Sequence, residues 1–368
     1  MNFDFSDDQK HLQRTAREFL DDQKSLSVCR EVLESKQLYS RELWSGAAEL
    51  GWLGAVIPDQ YGGAGFGYLE LAVLAEEVGR ALAPIPFSSS VYLATEALLL
   101  AGSPEQKERY LPRLAAGEII GTAAFTEQPG RSPSDRVETR FADGRLNGAK
   151  LPVPDGTAAD FVVLTAASAQ GLSLVIADLD TAGVEASSLL CFDESRPQAR
   201  LRFEHAEAEL VGSEGEGGTL MECILDRAAV LTAFEQLGAA SRAFDLTREF
   251  ALERYAFGRP VASFQAIKHR LADLWCQIEM ARSSCYYGAW ALSSDPSQLG
   301  VAACVARIAA SEAFTSTSEE MIQIHGGVGY TWEYDCHLFY RRAKLLSVAL
   351  GNPSSWKHQL IDRLQAVA

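Results

Sequence analysis

Nowhere in the chain do two cysteines form a CxxC pair. The seven present (Cys29, Cys191, Cys223, Cys276, Cys285, Cys304, Cys336) are odd in number and widely scattered. That spacing excludes a disulfide framework and a thiolate zinc site, and reduced, buried thiols are expected. No cluster of histidine, cysteine or carboxylate has metal-ligand spacing either. Positive charge is scarce: 33 Lys and Arg stand against 49 Asp and Glu, a net charge of −16. Such a surface repels phosphate backbones and anionic membranes, so neither nucleic acid nor membrane is expected as a partner. Uninterrupted apolar runs such as Ala97–Ala101 and Val162–Ala167 fall short of a bilayer span. The opening MNFDFSDDQK carries acids where a secretion signal needs an apolar core, and a cytoplasmic protein is expected. Internal repeats and low-complexity tracts are also missing.

What remains is ample for a core. With 368 residues, 47% hydrophobic and 22% charged, two or three packed units are expected. Ser6 and Gln9 form a capping-box pattern, and Leu12, Ala16, Phe19 and Leu20 recur at helical spacing behind it. Helical runs follow at Arg41–Leu50, Gly67–Leu82, Ser89–Ala101 and Pro104–Ala116, separated by turns such as Pro58–Gly65. From Gly121 the texture changes to short β-rich runs (Phe161–Ala166, Leu172–Leu179, Ala199–Phe203) between turns at Ala142-Asp143-Gly144 and Pro154-Asp155-Gly156. After GSEGEGG, helical patterns resume at Leu220–Leu252, Ser263–Leu292, Pro296–Ile324 and Ser355–Ala368. Helices, then strands, then helices make an α+β chain and exclude a doubly wound parallel sheet. The expected division is 1–120, 121–213 and 214–368.

The stretch QIHGGVGYTWEYDCHLFYRRAKLLSVALG (Gln323–Gly351) places three glycines within five residues. Glycine lets a backbone approach a large polar ligand and offer its N–H groups unobstructed. Arg254 provides a planar fork able to grip a pyrophosphate, or a surface charge paired with Glu253 or Glu249. Glu235 stands alone in the apolar run AAVLTAFEQLG, where a carboxylate needs a partner or a function. Asp226 beside Arg227 reads as an exposed pair, and His325, next to the double glycine, as a hydrogen-bond partner for a bound ligand or as a satisfied structural histidine.

Three stretches together resemble the acyl-CoA dehydrogenase family. LERYAFGRPVASFQAIKHRLADLW (Leu252–Trp275) is similar to its arginine, Phe-Gly and Phe-Gln signature. QIHGGVGYTWEY with YRRAK (Tyr340–Lys344) is similar to its glutamine and double-glycine segment. SPEQKERYLPRLAAGEIIGTAAFTE (Ser103–Glu127) is similar to the approach to its first flavin strand. The resemblance implies an N-terminal helical domain, a middle small β-barrel or sheet domain and a C-terminal four-helix bundle. It implies FAD as cofactor, an acyl-CoA substrate, electron-transferring flavoprotein as electron acceptor, and a homotetramer or α2β2 heterotetramer. By the same resemblance Arg254, Phe257 and Gln265 contact FAD held mainly by a neighbouring subunit, and Gln323, Gly326 and Gly327 serve the dinucleotide end. Thr126 then bonds the isoalloxazine edge, and Ser134 belongs to a serine-aspartate pair closing that loop. Here the loop is two residues longer than usual, Gln128 replaces a proline, and Pro152 stands where an aromatic residue commonly packs on the flavin.

The reaction of that family removes an α-proton and a β-hydride from an acyl thioester. Its usual glutamate position is Leu350 here, and its alternative position on the preceding long helix is Ala228. Neither side chain accepts a proton. Glu235, seven residues after Ala228, lies on the same helical face about 10 Å along the axis, and is the candidate base. The alternative is a non-catalytic or FAD-sharing subunit of a heteromeric acyl-CoA dehydrogenase acting on bulky, steroid-like acyl-CoA. A flavin enzyme of this fold using oxygen and a redox-dead scaffold complete the set.

Overall fold

Ser6 opens the first helix with the capping box its sequence predicts: its hydroxyl accepts from the Gln9 N–H at 3.2 Å, and the Gln9 side chain accepts from the Ser6 N–H at 2.9 Å. The computed structural model describes residues 5–35, 37–128, 130 and 137–367. Helices α1 (Asp7–Asp22), α2 (Ser25–Ser35), α3 (Arg41–Glu49), α4 (Tyr68–Arg80), α5 (Glu96–Ala101) and α6 (Pro104–Ala115) come first. Ser103 and Gln106 repeat the capping box on α6. Residues Ser88–Thr95, read as the start of a helix, form a π-helix that runs straight into α5.

Strands β1 (Gly121–Ala124), β2 (Arg140–Ala142), β3 (Arg145–Pro154), β4 (Phe161–Ser168), β5 (Gly171–Asp178), β6 (Val184–Leu189), β7 (Gln198–Glu207) and β8 (Glu209–Val211) build one mixed sheet. Its order is β6-β7-β3-β2-β4-β5-β8, with β1 parallel to β4. The Asp143-Gly144 turn signal sits between β2 and β3. Both residues adopt positive φ (49° and 71°), the geometry a tight hairpin between right-twisted strands requires. Leu146, Val153, Leu164, Val175, Leu201 and Phe203 meet in the sheet's core.

Helix α7 (Gly217–Glu253) follows, then a short hairpin of β9 (Tyr255–Ala256) and β10 (Arg259–Pro260). Helices α8 (Gln265–Ser294), α9 (Leu299–His325), α10 (Cys336–Val348) and α11 (Pro353–Val367) complete the chain. Two compact units result. One comprises Met1–Arg30, Tyr68–Ala83 and Ala229–Ala368, the other Glu31–Gly67 and Pro84–Ala228. In the first, α4 and α7 cross with their backbones nearly touching. A Cβ on Gly79 would stand 1.9 Å from the Glu235 carbonyl oxygen, and one on Gly238 would stand 1.8 Å from that of Glu76.

The stretch Pro296–Tyr330 holds a window of mean hydropathy 1.2, long and apolar enough to cross a membrane by length and composition. Reading uninterrupted apolar runs alone did not register it. In the structure 56% of that window is buried.

Candidate functional site

Glu235 and its neighbour Gln236 are fully buried on α7. Desolvating a carboxylate is costly unless a cation and hydrogen bonds answer it. Here Oε1 of Glu235 lies 3.8 Å from Nη1 of Arg342, itself buried on α10. Nη2 of Arg342 donates to the Leu82 carbonyl at 3.4 Å. A second buried cation, Arg307 on α9, donates through Nη1 to Gln236 Oε1 (2.5 Å) and Ser311 Oγ (2.6 Å). Its Nη2 donates to the carbonyls of Leu346 and Ala349, the latter at 2.7 Å. These carbonyls belong to the last turn and cap of α10. Immediately beyond them Leu350 adopts φ 60° and Gly351 φ 106°. Of the two positions expected for a base by resemblance, Leu350 is an apolar residue on a tight turn and Ala228 is fully buried.

Arg227, read as one member of an exposed pair with Asp226, also engages a buried group. Its Nη1 reaches Glu96, a buried carboxylate on α5, at 3.5 Å. Burial of the Glu96 carboxylate makes a cation a stronger partner for it than water.

In the unit formed around α8 and α9, the residues expected at the dinucleotide are exposed. Arg254 ends α7, its N–H donating to Phe250 O at 2.8 Å and its carbonyl accepting from Val261 N–H at 2.8 Å. Phe257 sits at the tip of the β9–β10 hairpin with φ 52° and 95% of its surface exposed. Gln265 begins α8, whose N-cap, Phe264, provides no side-chain acceptor for the free N–H groups. Gln323 is exposed near the end of α9, and Gly326 ends that helix with φ 64°. At Gly326 and Gly327 nothing lies within 4 Å of the place a Cβ would take. Exposed guanidinium and amide donors beside open backbone fit a dinucleotide with a pyrophosphate.

His325 is buried, stacks on Phe250 at 4.0 Å and sets Nδ1 2.7 Å from the Met321 carbonyl. Burial pushes its pKa below the ordinary imidazole value, so it packs as a neutral ring.

In the other unit, Thr126 follows β1 and its carbonyl accepts from Leu151 N–H at 3.1 Å. Glu127 beside it accepts from Lys150 Nζ (2.9 Å) and from the N–H groups of Glu138 (2.7 Å) and Thr139 (2.9 Å). Burial opposes its ionisation, but Lys150 and the two N–H donors outweigh it and hold its pKa below the ordinary value. A cavity of about 620 Å³ opens beside this anchor, its lining including Gln128, Thr139, Gly148, Arg200 and Arg202. Ser134 lies outside the described residues.

Sequence reasoning singled out Glu235 but passed over Arg307, Arg342 and Gln236. Arg307 interrupts the apolar run Gly300–Ala310 just as Glu235 interrupts its own, and the same signal would have found it.

Comparisons with known proteins bear on the same segments. The family model described as acyl-CoA dehydrogenase, N-terminal domain, matches residues 6–118, and that described as acyl-CoA dehydrogenase, C-terminal domain, matches residues 215–364. The acyl-CoA dehydrogenase IpdE2 of Mycolicibacterium smegmatis is 33% identical over 98% of this chain and 99% of its own. Among solved structures, butyryl-CoA dehydrogenase from Megasphaera elsdenii superposes with TM-score 0.91 at 26% identity, covering 99% of this chain and 100% of its own. A chain of the Tcur3481-Tcur3483 steroid ACAD superposes with TM-score 0.87 at 29% identity, covering 98% of each.

Proposed function

The chain belongs to the acyl-CoA dehydrogenase family, flavoproteins that use FAD to dehydrogenate acyl-CoA thioesters, and from that premise we propose that it works as one of two different chains of a dehydrogenase for bulky, ring-bearing acyl-CoA. In this reading it helps to hold FAD, and the other chain supplies the α-proton acceptor. The observation that carries it is the pair of apolar side chains at Ala228 and Leu350, with the nearest candidate carboxylate, Glu235, buried against Arg342. A steroid ACAD named for two chains, among the similar structures, supports both the mixed assembly and the bulky substrate.

The chemistry that FAD brings when bound is acceptance of the β-hydride. Arg254, Gln265, Gln323 and the open backbone at Gly326 and Gly327 would hold its dinucleotide end, Phe257 would cover it, and Thr126 would bond its ring edge. Ser134 is assigned there by resemblance. Ala228 and Leu350 carry hydrocarbon only, so neither would take the α-proton, while electrons would pass on to an electron-transferring flavoprotein. Glu235 as the base is the rival proposal, and its setting weighs against it. A proton acceptor must reach substrate, whereas this carboxylate is closed in by α10 and the backbone of α4.

Anaerobic titration of the purified chain with a panel of acyl-CoA thioesters, followed at the flavin band, tests this. Yellow protein that does not bleach until a sister chain is added is the expected result. Bleaching by the chain alone, lost in Glu235→Gln with FAD content unchanged, would install Glu235 as the base and defeat the two-chain reading.

A further inference from the structure

Resting on the reading that this chain has no proton acceptor of its own, the geometry points to Arg307 as a positioning residue for residue 350. The α10 helix ends at Val348. Ala349 caps it in an extended conformation, and Leu350 then turns left-handed. A branched side chain at positive φ is strained, and such strain persists where the surroundings over-determine the backbone. Arg307 is the group that over-determines it. Nη2 takes the Leu346 and Ala349 carbonyls, which a helix C-terminus leaves without intrahelical partners. Nη1 is tied to Gln236 Oε1 and Ser311 Oγ, and Ser311 also donates to Gln236 Oε1 at 3.2 Å.

The fork thus joins α7 and α9 to the end of α10 through a rigid plane. A lysine ammonium cannot serve four acceptors lying in two directions with the same geometry. Arg342 holds α10 from one turn earlier, with Glu235 facing it. The buried carboxylate on α7 is thereby explained, since together with Gln236 it keeps the two arginines in the core, and through them it fixes the turn at 349–351. Residue 350 leaves this backbone in a preset direction. Leucine there makes a fixed apolar wall, and a carboxylate at the same position would be presented from the same clamped turn.

Five proteins test this: wild type, Arg307→Met, Arg307→Lys, Leu350→Glu and the Leu350→Glu/Arg307→Met double variant. Amide hydrogen exchange over residues 346–352 is expected to quicken about tenfold or more in Arg307→Met and by less in Arg307→Lys, with exchange in α8 unchanged. Leu350→Glu alone is expected to gain acyl-CoA-dependent flavin bleaching without a sister chain, and the double variant to lose that gain about tenfold or more at equal FAD content. Exchange unchanged in Arg307→Met, or bleaching by Leu350→Glu indifferent to Arg307, overturns the assignment. Should Arg307→Met fail to fold, exchange in Arg307→Lys decides alone: faster at 346–352 supports the clamp, and equal to wild type overturns it. Bleaching by the unmodified chain would sink the two-chain reading instead, leaving the exchange result to judge Arg307.

Discussion

Gly79 and Gly238 let α4 and α7 approach until each backbone meets the other's carbonyl, so a single methyl group there has nowhere to go. Gly238→Ala places carbon 1.8 Å from the Glu76 oxygen, and backbone cannot swing aside as a flexible side chain can. Urea unfolding should show a loss on the order of 3 kcal/mol, at the upper end for overpacking. Gly327 is the contrast, having neither a positive φ nor an atom within 4 Å of its absent Cβ. Gly327→Ala should leave stability within about 0.5 kcal/mol while weakening FAD binding measured by flavin fluorescence, because the methyl group would occupy the space left for ligand. Unchanged FAD affinity would remove Gly327 from the cofactor surface. Glycines at both sites were visible in the sequence, but only the structure separates one that serves packing from one that leaves open backbone. Glu235 was legible as a carboxylate out of place; what it touches was not, since Arg342 lies more than a hundred residues away along the chain.

Between elements, the link from α2 to the segment before α10 carries the clearest dependence on acidity. Arg30 Nη2 donates to Asp335 at 2.5 Å, and Nη1 donates to the Trp332 carbonyl and lies 3.3 Å from His337 Nε2. The His337 ring stacks on Trp332 at 4.3 Å, and Arg341 lies over the same indole. Burial, then the Arg30 charge, holds His337 below the ordinary imidazole value of 6.5. A depressed imidazole adds stability above that value and forfeits it as pH falls and the ring must charge beside Arg30. The unfolding midpoint should therefore drop between pH 7 and pH 5. His325, shifted in the same direction by burial, acts on stability with the same sign, so the informative measurement is the difference from His337→Gln. That variant keeps an acceptor for Arg30 and cannot charge, and its drop should be smaller; an identical drop would clear His337 of the effect. Long helices such as α7, α8 and α9 were legible because apolar spacing persists over many turns. Helix α10 was not, since YRRAK puts a buried arginine at a core position. Strand β1 was also missed, as four small residues buried on all sides show no alternation.

At the scale of the whole molecule, one unit carries Tyr255, Phe257, Tyr330 and Tyr334 on its exposed surface. A large apolar side chain left almost wholly exposed, as Phe257 is at 95%, marks a place where another surface is expected to sit. Phe257→Ser should weaken self-association or association with a sister chain about tenfold or more, read by sedimentation velocity, without lowering the chain's own unfolding midpoint. Association unaffected by the change would place the subunit contact elsewhere. The order of helices, strands and helices was readable from texture alone. The division into two contact units was not, because it joins α1 and α4 to α7–α11 across a wide gap in sequence.

The Glu127 carboxylate, by bonding Lys150 and the backbone on both sides of Thr139's peptide entry, works as a buckle across residues 128–137. A chain whose entry and exit are buckled together accepts extra length at small entropic expense. The ends of β1 and β2 are thus held together by Glu127 whatever the length of chain that joins them.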